Sequence, residues 1–147
     1  MTNFSVQQAK SFKKLFAHSP VSTGFGVPEK FLLQYILFEA LVRLVWSYYR
    51  DRTNQKKKSN AHVSLNIEVV RRSFLYFNIR VSDERLDLLL NSNLTKRNEK
   101  SARNLRNGLA HHWKIEDANE VKTRYKALSS ALTGAINAIR ARIDSVA

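Results

Sequence analysis

Apolar residues recur along most of the chain at intervals of three and four positions, the spacing of amphipathic helices. The pattern predicts a first helix over Val6 to Ala17 and a second helix that opens at Pro28. From Phe31 to Tyr49 the second helix is apolar on nearly every side, which is typical of the buried centre of a bundle. A third helix is predicted from about Asn66 to Phe77.

The second half of the chain continues the helical pattern. Ser82 has the place of an N-cap before a short fourth helix, and the segment from Lys96 to Trp113 predicts a further helix whose start the pattern does not define. A final long helix is predicted to begin near Asp117, because Asp117 and Glu120 have the spacing of a capping box. Together these elements predict an all-α fold, a helical bundle of about five helices.

The glycines and prolines indicate one domain. Only 4 Gly and 2 Pro occur in 147 residues, and most of them cluster between Pro20 and Pro28. A chain of this length fits a single domain. We therefore expect one unit over residues 1–147, in which an N-terminal helix and turn (1–27) precede the main bundle (28–147).

The charge of the chain favours a polyanionic partner. Its 25 Lys and Arg exceed its 12 Asp and Glu, which gives a formal net charge of +13. Cations that contact phosphates release condensed counterions, so an excess of this size favours a nucleic acid. A membrane surface is the rival partner, but the basic residues are scattered instead of lining one amphipathic helix.

A membrane-spanning segment is not expected. Gln34, Glu39 and Arg43 interrupt the apolar second helix, and a charge at mid-membrane costs roughly 2.5–3.5 kcal/mol on insertion scales. The first ten residues lack the apolar core of a secretory signal. The chain has no cysteine, which excludes disulfides, thiolate zinc sites and cysteine nucleophiles and fits a cytoplasmic protein.

The segment between Ser101 and Trp113 carries the candidate chemistry. A helical projection places four of its residues on the core-facing side: Ala102, Leu105, Leu109 and Trp113. A second side carries Arg103, Asn107, Ala110 and His111, and Arg106 lies at the border between the two sides. Because Ala110 is small, this polar side is open to close approach by a substrate or a second backbone.

The stretch Arg106-Asn107-Gly108-Leu109-Ala110-His111 resembles the signature of the HEPN superfamily, which has an Arg, a polar residue that is commonly Asn, three further residues and a His. The position of the stretch before a final amphipathic helix is also similar to that family. The resemblance implies a helical bundle that forms a two-fold dimer and acts as a metal-independent ribonuclease without a cofactor. It further implies a toxin or defence effector, and an antitoxin partner that is often nucleotidyltransferase-like.

The resemblance implies a role for each motif residue. RNA supplies its own nucleophile, the 2′-hydroxyl, so the protein has to move protons and stabilise charge. His111 is then the general acid or base, because imidazoles exchange protons near neutral pH, and Arg106 holds the phosphate through its fork of donors. Asn107 either orients the imidazole or contacts the phosphate. No metal is expected, since the sequence contains nothing like a carboxylate or histidine cage.

The spacing of the motif raises a geometric question. Five positions on a regular helix rotate Arg106 and His111 about 140° apart. Either the helix distorts near Gly108, or two chains combine their residues in one site. The resemblance favours the second alternative, a composite site in the cleft of a homodimer.

Several residues outside the motif are candidates for supporting roles. Glu39, Arg43 and Ser47 form a polar stripe on the second helix, which is either an internal ion pair or a wall that positions Arg106 or His111; the resemblance makes Glu39 the candidate for the second role. His112 falls nearer the apolar side and is interpreted as a supporting histidine. The basic residues that lead into the motif are the candidate RNA contacts, with the connector Lys56-Lys57-Lys58 as a second choice: Lys96, Arg97, Lys100 and Arg103.

Two functions from different classes remain open. The first is an endoribonuclease, and the second is a non-catalytic RNA-binding or adaptor domain on the same fold. The intact Arg-Asn-x-x-x-His stretch favours the ribonuclease, because a pure binding module has no need for the histidine. A helical DNA-binding protein is a more distant alternative, since no convincing recognition-helix pattern is present.

Overall fold

Six α-helices form the secondary structure of the part of the chain that the computed structural model describes, residues 2–17, 26–53 and 65–146. The helices are α1 (Val6–Ala17), α2 (Val27–Thr53), α3 (Ile67–Tyr76), α4 (Asp83–Leu90), α5 (Ala102–His112) and α6 (Ile115–Asp144). These ranges contain no β-strand, only an isolated bridge between Leu94 and Lys100. The predicted all-α helical bundle is confirmed, with six helices instead of about five.

Helices α2 and α6 form the centre of the bundle and make the most extensive contact between any two helices. α2 also packs against α1, α3 and α5, and α6 packs against α4 and α5. Each helix buries residues at intervals of three and four, and each fully buried large side chain contributes about 1.5–3 kcal/mol. The innermost side chains of the pair are Phe31, Phe38, Leu41, Val42 and Val45 of α2 and Val121, Leu128, Leu132, Ala135 and Ile139 of α6.

An aromatic cluster fastens α1 to the bundle. Phe4 stacks on Phe77, with ring centroids 4.2 Å apart, and lies 4.9 Å from the ring of Phe12. Phe12 in turn meets the edge of Tyr48 of α2 at 5.8 Å. Aromatic pairs in these geometries are worth about 0.5–1.5 kcal/mol each beyond the area they bury. The first helix is therefore part of the same hydrophobic core as α2.

By length and composition, α2 is a helix that meets the criterion for a membrane span. A central helix in a bundle meets the same criterion, and α2 has that position here. One third of its most apolar stretch is buried, while Ile36 on another side is 52% exposed. Glu39 and Arg43 form an ion pair on this helix, with 3.6 Å between Oε2 and Nη2.

The predicted N-cap of α4 is confirmed, and α3 has an N-cap of the same kind that the sequence pattern did not indicate. Asn66 Oδ1 accepts a hydrogen bond from the backbone N–H of Val69 at 2.9 Å. Ser82 Oγ accepts one from Arg85 N–H at 3.1 Å. Such caps contribute about 1 kcal/mol each, because they satisfy amides that have no partner inside the helix.

The structure defines the start of α5, which the sequence pattern left open. The helix begins at Ala102, where Ser101 Oγ caps the N–H of Asn104 at 3.2 Å. The residues from Lys96 to Lys100 instead form a tight turn that Thr95 N–H closes by donating to the Glu99 carbonyl at 2.8 Å. Asn98 adopts a φ of 59° in this turn, a left-handed conformation that asparagine tolerates better than most residues. The first six residues of the predicted segment, Lys96 to Ser101, are therefore not helical.

The predicted capping box of the last helix is wrong. α6 begins at Ile115, with Lys114 in the N-cap position and no side-chain cap. Asp117 lies inside the first turn, 2% exposed, and bonds to Lys100 instead of to the helix backbone. The ion pair with a residue 17 positions away thus replaces the local cap that the spacing predicts.

Candidate functional site

α5 and α6 approach each other closely at Gly108. A β-carbon built on Gly108 would overlap Oδ2 of Asp117 and lie 2.9 Å from its Cγ, so the carboxylate occupies the space that a side chain would need. Lys100 Nζ donates to Asp117 Oδ1 at 2.6 Å and balances the charge of this buried carboxylate. The hydrogen bond to Asp117 raises the pKa of Lys100, and burial opposes that shift. The glycine of the motif is therefore explained by packing.

An open groove of about 540 Å³ lies beside this contact. The second half of α5, residues 93–94 and the start of α6 form its walls. Most of its lining residues are histidines, lysines or asparagines, which suits an anionic ligand with hydrogen-bonding groups. The lining residues are Asn93, Leu94, Lys100, Asn104, Asn107, Gly108, His111, His112, Lys114 and Asp117.

One wall of the groove is fixed by Asn104. Its Nδ2 donates to the carbonyl of Asn93 at 2.9 Å and to that of Ser92 at 3.3 Å. These bonds tie the loop after α4 to α5. Asn93 and Leu94 are therefore held against the same helix that carries His111.

Arg106 lies on the side of α5 that faces α2. Its Nη2 is 3.7 Å from Oε1 of Glu39, and both side chains are 27% exposed. Its Nη1 donates to Oδ1 of Asn107 at 3.0 Å. Of the two interpretations of Glu39, the structure supports contact with Arg106, and the pair with Arg43 exists beside it.

Tyr35 lies buried next to this charge cluster. Burial raises the pKa of its phenol strongly, and Glu39 raises it further. Three guanidinium groups, those of Arg103, Arg106 and Arg43, act in the opposite direction. Tyr35 thus stays uncharged while its neighbourhood concentrates positive charge between α2 and α5.

Within one chain, Arg106 and His111 point to different surroundings. α5 runs as one α-helix from Ala102 to His112, so the alternative in which the helix distorts at Gly108 is not realised. Arg106 contacts α2, whereas His111 lines the groove. Asn107 connects the two, because it accepts from Arg106 and also lines the groove.

Two predictions about the end of α5 are wrong. His112 is not on the apolar side; it is exposed and lines the groove beside His111, with 6.3 Å between the ring centroids. Trp113 is not in the core but is 46% exposed. The helical projection assumes that the helix continues, whereas Trp113 has a φ of 45° and ends it. Ala102, Leu105 and Leu109 are buried as predicted.

The four candidate RNA-binding residues do not form a single face. Arg97 pairs with Glu84 at 2.8 Å on the surface, and Arg103 Nη1 donates to the Leu65 carbonyl at 3.3 Å. Lys96 is exposed, and its backbone N–H is held by Asp87. Of the four, Lys100 is the residue that lines the groove.

Sequence reasoning did not single out Lys114, Asn93 or Asn104 as parts of the site. Lys114 lies two positions beyond the last residue of α5, near the helix end where cations interact favourably with the helix dipole, and this signal was available. The two asparagines carried no comparable signal. Lys56-Lys57-Lys58, His18 and His62 lie outside the described residues. Within the described ranges no cluster of three or more His, Asp or Glu is placed to hold a metal ion.

No protein-family model, no curated protein and no solved structure matches this chain. The likeness to the HEPN superfamily therefore stays a resemblance of the six residues from Arg106 to His111 and of the helical order around them.

Proposed function

We propose that the protein is a metal-independent endoribonuclease whose site is the groove at the end of α5. The observation that carries the proposal is the placement of His111 in a groove that also contains lysines and amides, with Asn107 linking it to Arg106. A proton-transferring imidazole beside lysines and side-chain amides matches what RNA cleavage needs. The resemblance of the motif to the HEPN signature supports the same reaction.

The proposed reaction uses the substrate's own nucleophile. A base takes the proton of a ribose 2′-hydroxyl, and the 2′-oxygen forms a bond to the adjacent phosphorus. The bond from phosphorus to the 5′-oxygen breaks, and that oxygen receives a proton. The products are a 2′,3′-cyclic phosphate and a free 5′-hydroxyl. His111 transfers a proton, and Arg106 stabilises the charge that builds on the phosphoryl oxygens. Asn107 holds the guanidinium beside the groove, and His112 supports from the neighbouring position.

The proposed site is shared by two chains in a two-fold homodimer. Arg106 and His111 of one chain lie on different sides of a regular helix, so one phosphate is reached by both residues most directly when each chain supplies one of them. A two-fold axis makes such sharing reciprocal, so that a dimer has two equivalent sites. The exposure of His111 and His112 at the end of α5 leaves that surface open to a second chain.

The biological setting we propose is a cytoplasmic toxin or defence effector that a partner protein keeps inactive. The support for this setting is the resemblance to the HEPN superfamily, in which a nucleotidyltransferase-like antitoxin is a frequent partner. The excess of positive charge agrees with an RNA substrate.

A non-catalytic RNA-binding or adaptor domain is the second candidate function. The specific observation in its favour is the separation of Arg106 from His111 within one chain. In a single chain, the groove offers lysines and amides that can bind RNA, but the guanidinium of Arg106 does not lie beside the imidazole of His111. An RNA that binds and is not cleaved would be the result of this alternative.

Incubation of the purified protein with RNA in excess EDTA tests the proposal. We expect fragments that end in 2′,3′-cyclic phosphate and carry 5′-hydroxyl groups. Arg106→Ala should abolish cleavage, and Arg72→Ala is its matched control, because Arg72 is an exposed arginine on α3 away from the groove. Cleavage that needs a divalent ion, or fragments with 5′-phosphates, would contradict the proposed reaction.

A further inference from the structure

Trp113 ends α5 in a conformation that suits few residues. Its φ of 45° and ψ of 52° are in the left-handed region, where glycine is the usual residue at the end of a helix. Its N–H donates to the Leu109 carbonyl at 3.0 Å, and the N–H of Lys114 donates to Gly108 at 3.3 Å. The turn is thus satisfied by its backbone alone. The indole is not needed to close it, and a strained residue of this kind next to a site suggests a function.

The indole is also unusually open for its type. Trp113 is 46% exposed, and among the described residues its ring takes part in no ring–ring or cation–ring contact that holds other aromatics of this chain, such as the pair Trp46 and Tyr49 at 5.6 Å. A large exposed aromatic costs solubility and gains nothing from the core. Its surface is available to a planar partner.

The position of Trp113 relates it to the groove. The residues on either side of it in the chain, His112 and Lys114, both line the groove. Leu94, which also lines the groove, is 52% exposed. A chain whose phosphate lies beside Lys114 would carry its adjacent bases past the end of α5.

We propose that Trp113 is a base-stacking subsite that receives an unpaired base next to the phosphate bound in the groove. This inference rests on the proposed function, because it takes RNA to be the ligand of that groove. Stacking of a base on an aromatic side chain is tolerant of sequence and is commonly paired with a cationic path for the backbone. Bases in a duplex are already stacked on their neighbours, so the subsite selects single-stranded segments.

A pair of substitutions separates stacking from simple apolar contact. Trp113→Phe keeps an aromatic plane, and Trp113→Leu keeps apolar bulk without one. Neither Phe nor Leu is branched at its β-carbon, so both variants carry similar backbone strain at this left-handed position. The loss of one stacked base corresponds to roughly 5- to 150-fold in affinity. We expect Trp113→Leu to lose affinity for single-stranded RNA in this range and Trp113→Phe to stay within a few fold of the parent protein.

Fluorescence gives a direct signal from the residue itself. The chain has 2 tryptophans, and the other one, Trp46, lies on α2 with its Nε1 buried. In Trp46→Phe combined with His111→Ala, which prevents cleavage, the emission comes from Trp113. Titration with a short oligouridylate should quench it, whereas the same RNA annealed to its complement, or made abasic at every position, should quench it little. Circular dichroism of each variant confirms that the helices remain.

The outcomes separate this inference from the proposed function. The subsite is supported if single-stranded RNA quenches the fluorescence and Trp113→Phe binds that RNA more tightly than Trp113→Leu does. Equal affinities of the two variants, or equal quenching by the abasic strand, would overturn it even if the parent protein cleaves RNA. A Leu variant that loses dimerisation in sedimentation but keeps RNA affinity would assign Trp113 to a protein contact and overturn it as well. A parent protein that binds no RNA of either form would instead refute the proposed function, and the subsite with it.

Discussion

The carboxylate of Asp117 lies against the backbone of Gly108, in the space that a β-carbon would occupy. This contact joins α5 to α6 at the middle of the Arg-Asn-x-x-x-His stretch. The same carboxylate accepts a hydrogen bond from the ammonium group of Lys100, and Lys100 lines the groove together with His111. One buried acidic group thus sets the spacing of two helices and the position of a cation in the candidate site.

Substitution of Gly108 should destabilise the protein. In Gly108→Ala the new methyl group collides with a carboxylate that is 2% exposed and bonded to Lys100, so the helices have to separate or the ion pair has to break. Overpacking of this kind costs about 1–3 kcal/mol. Urea denaturation measures the free energy of unfolding.

Gly134→Ala is the matched control for this helix glycine. A β-carbon there would meet the guanidinium of Arg85, the far end of a flexible side chain, which is able to move away. Alanine also gains up to about 1 kcal/mol over glycine in a helix interior. An equal loss in the free energy of unfolding in both variants would show that the contact with Asp117 does not account for the effect of Gly108→Ala.

The Lys100–Asp117 pair predicts a pH dependence of stability at alkaline pH. Because the pKa of Lys100 is raised in the folded protein above its ordinary value of 10.5, the pair stabilises the fold fully below that value. The contribution is lost as the pH rises through the raised pKa. The stability difference between the parent protein and Lys100→Met should therefore be large at pH 8 and shrink above about pH 10.5. Denaturation curves across this range would contradict the pair if the difference stayed constant.

Glu39 should act on cleavage through Arg106. Glu39→Gln keeps the shape of the side chain but removes the charge that lies 3.7 Å from the guanidinium. We expect the rate of cleavage to fall about tenfold, a loss near 1.4 kcal/mol, while KM changes little. Arg43→Ala is the control, because Arg43 is 51% exposed and contacts Glu39 without touching Arg106. A similar loss in both variants, or a loss in KM alone, would argue against this positioning role.

Mixed dimers test whether two chains share a site. Arg106→Ala and His111→Ala are each expected to be inactive, but a dimer of one copy of each has one intact pair of Arg106 and His111. Random exchange should restore about a quarter of the parent activity, since half of the dimers are mixed and each has one of two sites. If all active residues belong to one chain, mixing restores nothing.

Much of the fold was predictable because it depends on local periodicity. α1 has the predicted bounds, and Ser82 caps α4 as its place before the fourth helix indicated. Local signals failed where a distant residue competed for the same group. Asp117 and Glu120 have capping-box spacing, yet Asp117 bonds to Lys100, which no local pattern pairs with it.

The site was predictable in its residues more than in its arrangement. The rotation between Arg106 and His111 follows from helix geometry, and α5 is regular as that argument assumes. The contact of Arg106 with Glu39, 67 positions earlier in the sequence, remained one of two interpretations until the packing of α5 on α2 was known. Trp113 was misplaced because a projection extends a helix past its actual end. His112 is the last residue of that helix, and its exposure shows that the buried side of α5 is narrower there than the projection indicated.

The most direct test of the account is the cleavage rate of His111→Ala beside that of the parent protein, measured in EDTA with a labelled single-stranded RNA. His111 is exposed in the groove, so its removal should leave the fold and the RNA affinity nearly unchanged. We expect the rate to fall by about 10² to 10⁴, the usual contribution of a general acid or base. Unchanged cleavage by His111→Ala in nuclease-free preparations, together with loss of cleavage in His112→Ala, would show that His112 transfers the proton and that His111 does not. Cleavage that persists in both variants would contradict the account.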